Sequence, residues 1–197
     1  MVSAEEVLGF WFGQPPDPVR NPTSVRPQER WFVRNADFDA ECRHRFLDAH
    51  EAAAAGRLDD WREEPRSCLA LLLLLDQFPR NLFRGTPRAF SSDAKAREVA
   101  RYALARGLDV TLPPVWRWFM YLPFEHSEEV HDQRLAVALF EMLALYHRDS
   151  RESLDYARRH REVIERFGRF PHRNVTLGRP STPEEESFLQ EPGSSFA

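Results

Sequence analysis

The sequence predicts an all-α fold of antiparallel helix pairs arranged around one central apolar helix. Three observations carry this. Apolar residues recur at three-to-four spacing in segment after segment, and no period-two alternation survives inspection. The segments are bounded by helix punctuation. Ser3-Ala4-Glu5-Glu6 and Thr182-Pro183-Glu184-Glu185 each put a hydroxyl at the N-cap and a Glu three residues on, while Gly13, Gly56, Gly107 and Gly168 stand where helices should stop. Finally, Cys68 to Leu75 is a run of eight apolar residues with no polar face, the pattern of a helix surrounded by other elements. It falls far short of the roughly 20 apolar residues a bilayer span needs.

Taken in order, Ser3 opens a helix through Val7, Leu8, Phe10, Trp11 and Phe12, and a loop follows with Pro15, Pro16, Pro18, Pro22 and Pro27. Arg30-Trp31-Phe32 starts a turn of helix. Asp37 is expected to cap a helix carrying Phe38, Cys42, Phe46, Ala49 and Ala53 on one stripe. Trp61 anchors a connector from Leu58 to Arg62. Pro65 opens the central helix, and Pro79 should end it at Phe78, because proline has no N–H and disfavours helical geometry in the residue before it. Ser91-Ser92-Asp93 caps a helix from Ala94 to Ala105. Val115 to Tyr121 is a short aromatic helix that should end at or before Pro123, and a long helix runs from Ser127 through His147. Ser153 to Phe167 places Leu154, Ala157, His160, Ile164 and Phe167 on one face. The expectation is a single helical domain over residues 1–190, with a frayed tail at 191–197.

Composition narrows the function classes. The 197 residues are 42% hydrophobic and 12% aromatic, enough for one packed domain. A net charge of −4 gives no reason to expect nucleic-acid or membrane binding. Lys95 is the only lysine, so nearly all positive charge is arginine; codon bias accounts for this as well as function does. Cys42 and Cys68 lie in apolar helical contexts and read as buried free thiols. The N-terminus does not resemble a signal peptide, so a cytoplasmic location is expected.

Three polar constellations remain. The first is Asp76-Gln77-Phe78-Pro79-Arg80-Asn81, with Arg84 beyond it. The second runs from Tyr121 to Glu128 and on to Gln133. With a helix starting near Ser127, His126, Val130, Gln133, Val137 and Phe140 would share a stripe. Histidine titrates near neutrality and serves as a general base or metal ligand, so His126 stands out. The third is Arg166 to Asn174 with Arg179; between Arg158 and Arg179 there are seven arginines and two acids. Arg169, Arg173 and Asn174 on this glycine- and proline-shaped loop suit carboxylate or phosphate recognition, and the helix start at Thr182 could add backbone donors. His160 joins them from an apolar helix face. For all of these the competing reading is structural, since buried polar groups need partners in any fold.

Glu41-x-x-His44 and Glu128-x-x-His131 match one half of a di-iron bundle pattern. With seven histidines and many glutamates such matches arise by chance, and Glu41 and His44 lie off the apolar stripe. No metal and no other cofactor is expected.

The segments FWFG, RWF followed by FD, LLLLLDQFPRNLFRGT, YLPFEHSE with a following DQ, RFGRFPHRN and LGR-STPEE, read together, resemble a family of bacterial proteins of unknown function, the uncharacterised-domain family 924. The resemblance spans Val7 to about Leu189. It implies a helical fold similar to tetratricopeptide-repeat proteins, and no activity. Glu125 departs from the family's pattern, standing where an apolar residue such as Met is expected, and it is not counted as a site residue. Two function classes follow. In one, a binding module holds an anionic small molecule or an acidic peptide or protein partner through Arg80, Asn81, Arg84, Tyr121, Gln133, Arg169, Arg173 and Asn174. In the other, a small-molecule enzyme uses His126 or His160 as general base, oriented by Asp76 or Glu128. RNA binding lacks the broad basic surface it would need. Oligomeric state is not legible.

Overall fold

The computed structural model describes residues 2–13 and 26–194, and every regular element among them is helical. The expected loop prolines Pro15, Pro16, Pro18 and Pro22, and residues 195–197 of the expected tail, lie outside the described residues. Helix α1 (Ala4–Phe12) opens on the capping box read from the sequence: the Glu6 N–H donates to Ser3 Oγ at 3.2 Å and the Ser3 N–H to Glu6 Oε2 at 2.8 Å. In α2 (Ala36–Ala54) the cap is Asn35, not Asp37. Asn35 has the extended backbone that an N-cap requires, and its Oδ1 accepts from the Phe38 N–H at 3.0 Å.

The central helix does not stop at Phe78. It runs as α3 (Pro65–Leu72), one π turn (Leu73–Gln77) and α4 (Phe78–Leu82). The wide turn and three side chains explain how Pro79 is accommodated. The Phe78 N–H reaches back five residues to Leu73 O, and Pro79 has no N–H to offer. Neighbouring carbonyls are therefore satisfied from elsewhere in the chain. His50 Nδ1 lies 2.8 Å from Leu74 O, Ser92 Oγ donates to Leu75 O at 2.6 Å, and Arg80 Nη1 donates to Asp76 O. Such π turns are frequent at functional sites. Cys68 through Leu75 are 0% exposed, as the unbroken apolar run requires.

Because Ser92 serves Leu75, it does not cap the next helix with its side chain. Helix α5 (Asp93–Ala105) begins without such a bond, and Asp93 lies in its first turn. Helix α6 (Pro114–Glu125) runs through Pro123 rather than ending before it. Every residue from Trp118 to Glu125 is buried, so packing holds the helix across the missing bond. His126 is its C-cap, with its N–H on Leu122 O at 2.9 Å.

Helix α7 (Val130–Ala144) is shorter than expected at both ends. Ser127 bends the link instead, donating to Asp132 Oδ2 at 2.8 Å while accepting from the Glu129 N–H at 3.2 Å. His126 consequently does not share the Val130–Gln133–Val137–Phe140 stripe. Helix α8 (Ser150–Phe167) starts at Ser150 rather than Ser153 and ends on Gly168, whose φ of 68° favours glycine. The short α9 (Asn174–Leu177) and α10 (Pro183–Leu189) follow, the latter on the Thr182–Glu185 capping box.

Helices α1, α2, α5 and α6 pack around the central α3–π–α4 helix, and α6, α7 and α8 pack in succession. This succession is compatible with a tetratricopeptide-type array. One apolar core runs from Val7 to Ala157, and a smaller cluster joins Val163, Ile164 and Phe170 to Phe167 and Phe188. Cys42 and Cys68 are buried free thiols, each pushed up to about 12 by burial. No helix among the described residues is long and apolar enough to cross a membrane.

Candidate functional site

The π turn, the start of α5, the end of α6, the middle of α8 and the 3-10 turn Pro171–Arg173 meet around Asp76, which is 1% exposed. Asp76 Oδ1 accepts from His126 Nδ1 at 2.8 Å, and Oδ2 accepts from Gln77 Nε2 at 2.6 Å. Arg80 Nη1 lies 3.4 Å from Asp76 Oδ1, and the same guanidinium forks onto Asp93 with two bonds of 3.0 Å. From the other side, Arg173 Nη1 donates to His126 O at 3.0 Å, and Asp93 Oδ2 lies 3.8 Å from it. Both guanidiniums lie over the Phe90 ring, Arg80 at 5.7 Å and Arg173 at 4.7 Å, and Arg173 also stacks on Phe170 at 4.5 Å. Glu125 and His160 complete the group, with Glu125 Oε1 3.2 Å from His160 Nδ1, which also bonds Tyr156 O at 2.9 Å.

Electrostatics divides the labour. Burial alone would raise the Asp76 carboxyl, but Arg80 and His126 outweigh it and hold the group far below the usual carboxylate range. Asp76 is thus ionised and fixes the proton of His126 on Nδ1, leaving Nε2 as the basic nitrogen. Burial and then the Arg80 charge push His126 below its ordinary value, against the pull of Asp76, so it is a free base at neutral pH. Burial, reinforced by Asp76, raises Glu125 to about 8, so it carries a proton at neutral pH. Burial also pushes His160 well down. Arg173 is lowered to about 10 by burial and then by Arg80. The arrangement can accept a proton at His126, donate one from Glu125 and hold an oxyanion against Arg173.

Of the residues singled out in the sequence, Asp76, Arg80, His126, His160 and Arg173 come together here. The others are engaged elsewhere. Arg84 forks onto Asp39 at 2.8 and 2.9 Å, and Asn81 Nδ2 joins the same carboxylate at 2.7 Å. Tyr121 donates to Asp109 Oδ2 at 2.7 Å. Gln133 Nε2 ties the end of α6, donating to Glu125 O and Ser127 O at 2.6 Å each. Glu128 takes a fork from Arg179 at 2.7 and 2.9 Å and the Phe170 N–H at 2.8 Å. Arg169 forks onto Glu185 at 2.6 and 2.8 Å, and Asn174 Nδ2 bonds Ser181 Oγ at 3.0 Å and Glu185 Oε2 at 3.2 Å. Of the four arginines among the expected binding residues, Arg80 and Arg173 lie in this cluster, while Arg84 and Arg169 pair with Asp39 and Glu185.

Two residues of this cluster, Asp93 and Glu125, are not among the candidates the sequence yields. Asp93 reads as part of a Ser-Ser-Asp cap. Glu125 reads as a departure from the family's pattern, although an acid closing the apolar run Trp118–Phe124 is a visible signal. The two Glu-x-x-His pairs do not assemble: His44 is exposed, Glu41 bonds Arg45 at 3.2 Å, and Glu128 is held by Arg179. Among the described residues, no group of three or more His, Cys, Asp or Glu side chains could hold a metal ion.

Arg169→Ala is accordingly expected to loosen the C-terminal segment rather than the site. It strips a fork from Glu185, which is 2% exposed, and leaves that carboxylate to the Asn174 amide and the Thr182 N–H. Hydrogen exchange should show α10 and residues 171–177 deprotected, with the central helix as protected as in the wild type.

These features place the chain among all-helical proteins with a buried carboxylate–histidine–arginine cluster. Over residues 7–193 it matches the family described as "Bacterial protein of unknown function (DUF924)", and it belongs to that family. A solved structure, a protein of unknown function, ATU0120, from Agrobacterium tumefaciens, is similar at 43% identity and a TM-score of 0.80, covering 95% of this chain and 96% of that one. No curated protein matches the chain.

Proposed function

We propose that the protein binds a small oxyanion-bearing molecule, a carboxylate or phosphate, between Arg173 and Arg80. One observation carries the reading: Arg173 is 7% exposed, its Nε has no hydrogen-bond partner among the described residues, and it lies beside a second guanidinium that already occupies Asp93. A buried cation so incompletely matched costs stability that an added anion would recover. Arg80 and His126 keep only 20% and 14% of their side chains exposed, which suits a small molecule better than a peptide chain. A cytoplasmic setting, where such anions abound, fits this reading.

Sulfate is a suitable probe, and thermal melting the readout. Sulfate should raise the midpoint of the wild type with saturation at millimolar concentration, and Arg173→Gln should lose that saturable part. General salting-out acts on both proteins alike and cancels in the difference. Equal shifts in the two proteins would reject the reading.

The Asp76–His126 pair favours a second reading in which the bound anion is turned over, with His126 Nε2 as general base. His126→Gln should then retain binding and abolish turnover of any substrate found.

A further inference from the structure

Among the described residues, three buried polar atoms without partners belong to side chains that touch residues 124–127: Glu125 Oε2, Arg173 Nε and Gln133 Oε1. Others, such as Trp11 Nε1 and Trp116 Nε1, lie in the aromatic core. Buried polar atoms are normally satisfied, so a cluster of exceptions calls for an explanation. Glu125 is the most informative of them. It is 4% exposed, it directly precedes His126 in the chain, and one of its oxygens is already placed against His160 at 3.2 Å. The other oxygen is uncommitted, on the α6 terminus that Arg173 grips through His126 O.

We propose that Glu125 is a third ligand-contacting residue of the Arg80–Arg173 site, donating a hydrogen bond from its Oε2 hydroxyl to the bound oxyanion. This rests on the reading above that an anion binds there. A carboxylic acid donates only while it is protonated. The buried setting raises its ionisation to about 8, so the donor form prevails at neutral pH. Once ionised, Glu125 adds a second negative charge beside Asp76 and repels the ligand. Glu125 thereby makes anion capture depend on pH. The ionisable groups that neighbouring elements bring to this end of the bundle are Asp76 from the π turn, Arg80 from α4, Asp93 from α5, His160 from α8, and His172 and Arg173 from the 3-10 turn; His126 and Glu128, the latter paired with Arg179, follow on the link after α6. His126, His160 and His172 are lowered and stay neutral above pH 6.5, and Arg80 is raised and stays charged. Glu125 is therefore the group that changes charge most between pH 6.5 and 9.

The test is sulfate affinity, from saturable thermal stabilisation, at pH 6.5 and pH 9. Sulfate is fully ionised throughout, so the probe does not titrate. Wild type should bind roughly tenfold more weakly at pH 9, as linkage to a group ionising near 8 requires. Glu125→Gln keeps a neutral donor at both pH values and should bind with no more than about a twofold change. Glu125→Met, which has neither donor nor charge, should be weaker at pH 6.5 and equally insensitive to pH, and it serves if the Gln variant does not fold. If either folded variant shows the same tenfold loss as wild type, the Glu125 inference is overturned while anion binding stands. If wild type shows no saturable sulfate binding at either pH, the anion reading itself falls, and the inference with it.

Discussion

Asp76→Ala is expected to destabilise the protein by about 3–5 kcal/mol, a large part of the roughly 5–15 kcal/mol that holds a typical domain folded. The carboxylate accepts from His126 and Gln77 and lies 3.4 Å from Arg80, all around a side chain that is 1% exposed. Truncation leaves those partners in a space that water does not readily reach. Arg80 keeps its fork on Asp93 but loses the charge on its other side. Asp76→Asn keeps the shape and can still accept from His126 Nδ1, so it should cost less. Urea unfolding separates the two. A loss below about 1 kcal/mol for Asp76→Ala would mean that the cluster contributes little to the fold.

The stability of the wild type relative to Glu125→Gln should fall as pH rises from 6.5 to 8. The sign follows from proton binding. Glu125 is raised from 4.5 to about 8 in the folded protein, so its contribution is complete below pH 4.5 and is lost as pH climbs to 8. Over the whole interval this is on the order of 5 kcal/mol. The lower part of the interval is masked. His50, His126, His147, His160 and His172 are all lowered, so the unfolded chain binds more protons than the folded one below pH 6.5, and stability there rises with pH. The unfolded histidines still hold about half their protons at pH 6.5 and go on opposing Glu125 up to about pH 7.5, so the wild-type profile alone hides its effect; the difference between wild type and Glu125→Gln, in which the histidines cancel, should narrow by about 2 kcal/mol from pH 6.5 to 8. Cys42 and Cys68, raised from 9 to about 12, act only in more alkaline solution. Chemical denaturation at half-unit pH steps measures the slope. A wild-type minus Glu125→Gln difference that stays flat from 6.5 to 8 would show that Glu125 is ionised in the native state at neutral pH.

The central helix was legible because nothing in Cys68–Leu75 could face water. Its passage through Pro79 was not. The compensation comes from His50 and Ser92, which are near only after folding. His126 illustrates the same limit. Reading Ser127 as a helix start put His126 on the α7 stripe, whereas Ser127 bonds Asp132 and leaves His126 as the cap of α6, facing Asp76. Arg169 and Arg173 are four residues apart on one loop, and their local sequence does not distinguish them. Only the return of α10 shows that Arg169 is claimed by Glu185 and Arg173 is not. Burial of the Glu125 carboxyl likewise depends on α8, whose His160 meets it.

The most direct measurement is a crystal grown near pH 6.5 and soaked in selenate, which mimics sulfate and reveals itself by anomalous scattering. The account predicts an anomalous peak within hydrogen-bonding reach of Arg173 Nε and Glu125 Oε2 in the wild type, and no peak there in Arg173→Gln. A wild-type map with no peak at that position, at selenate concentrations that label other sites, would contradict it.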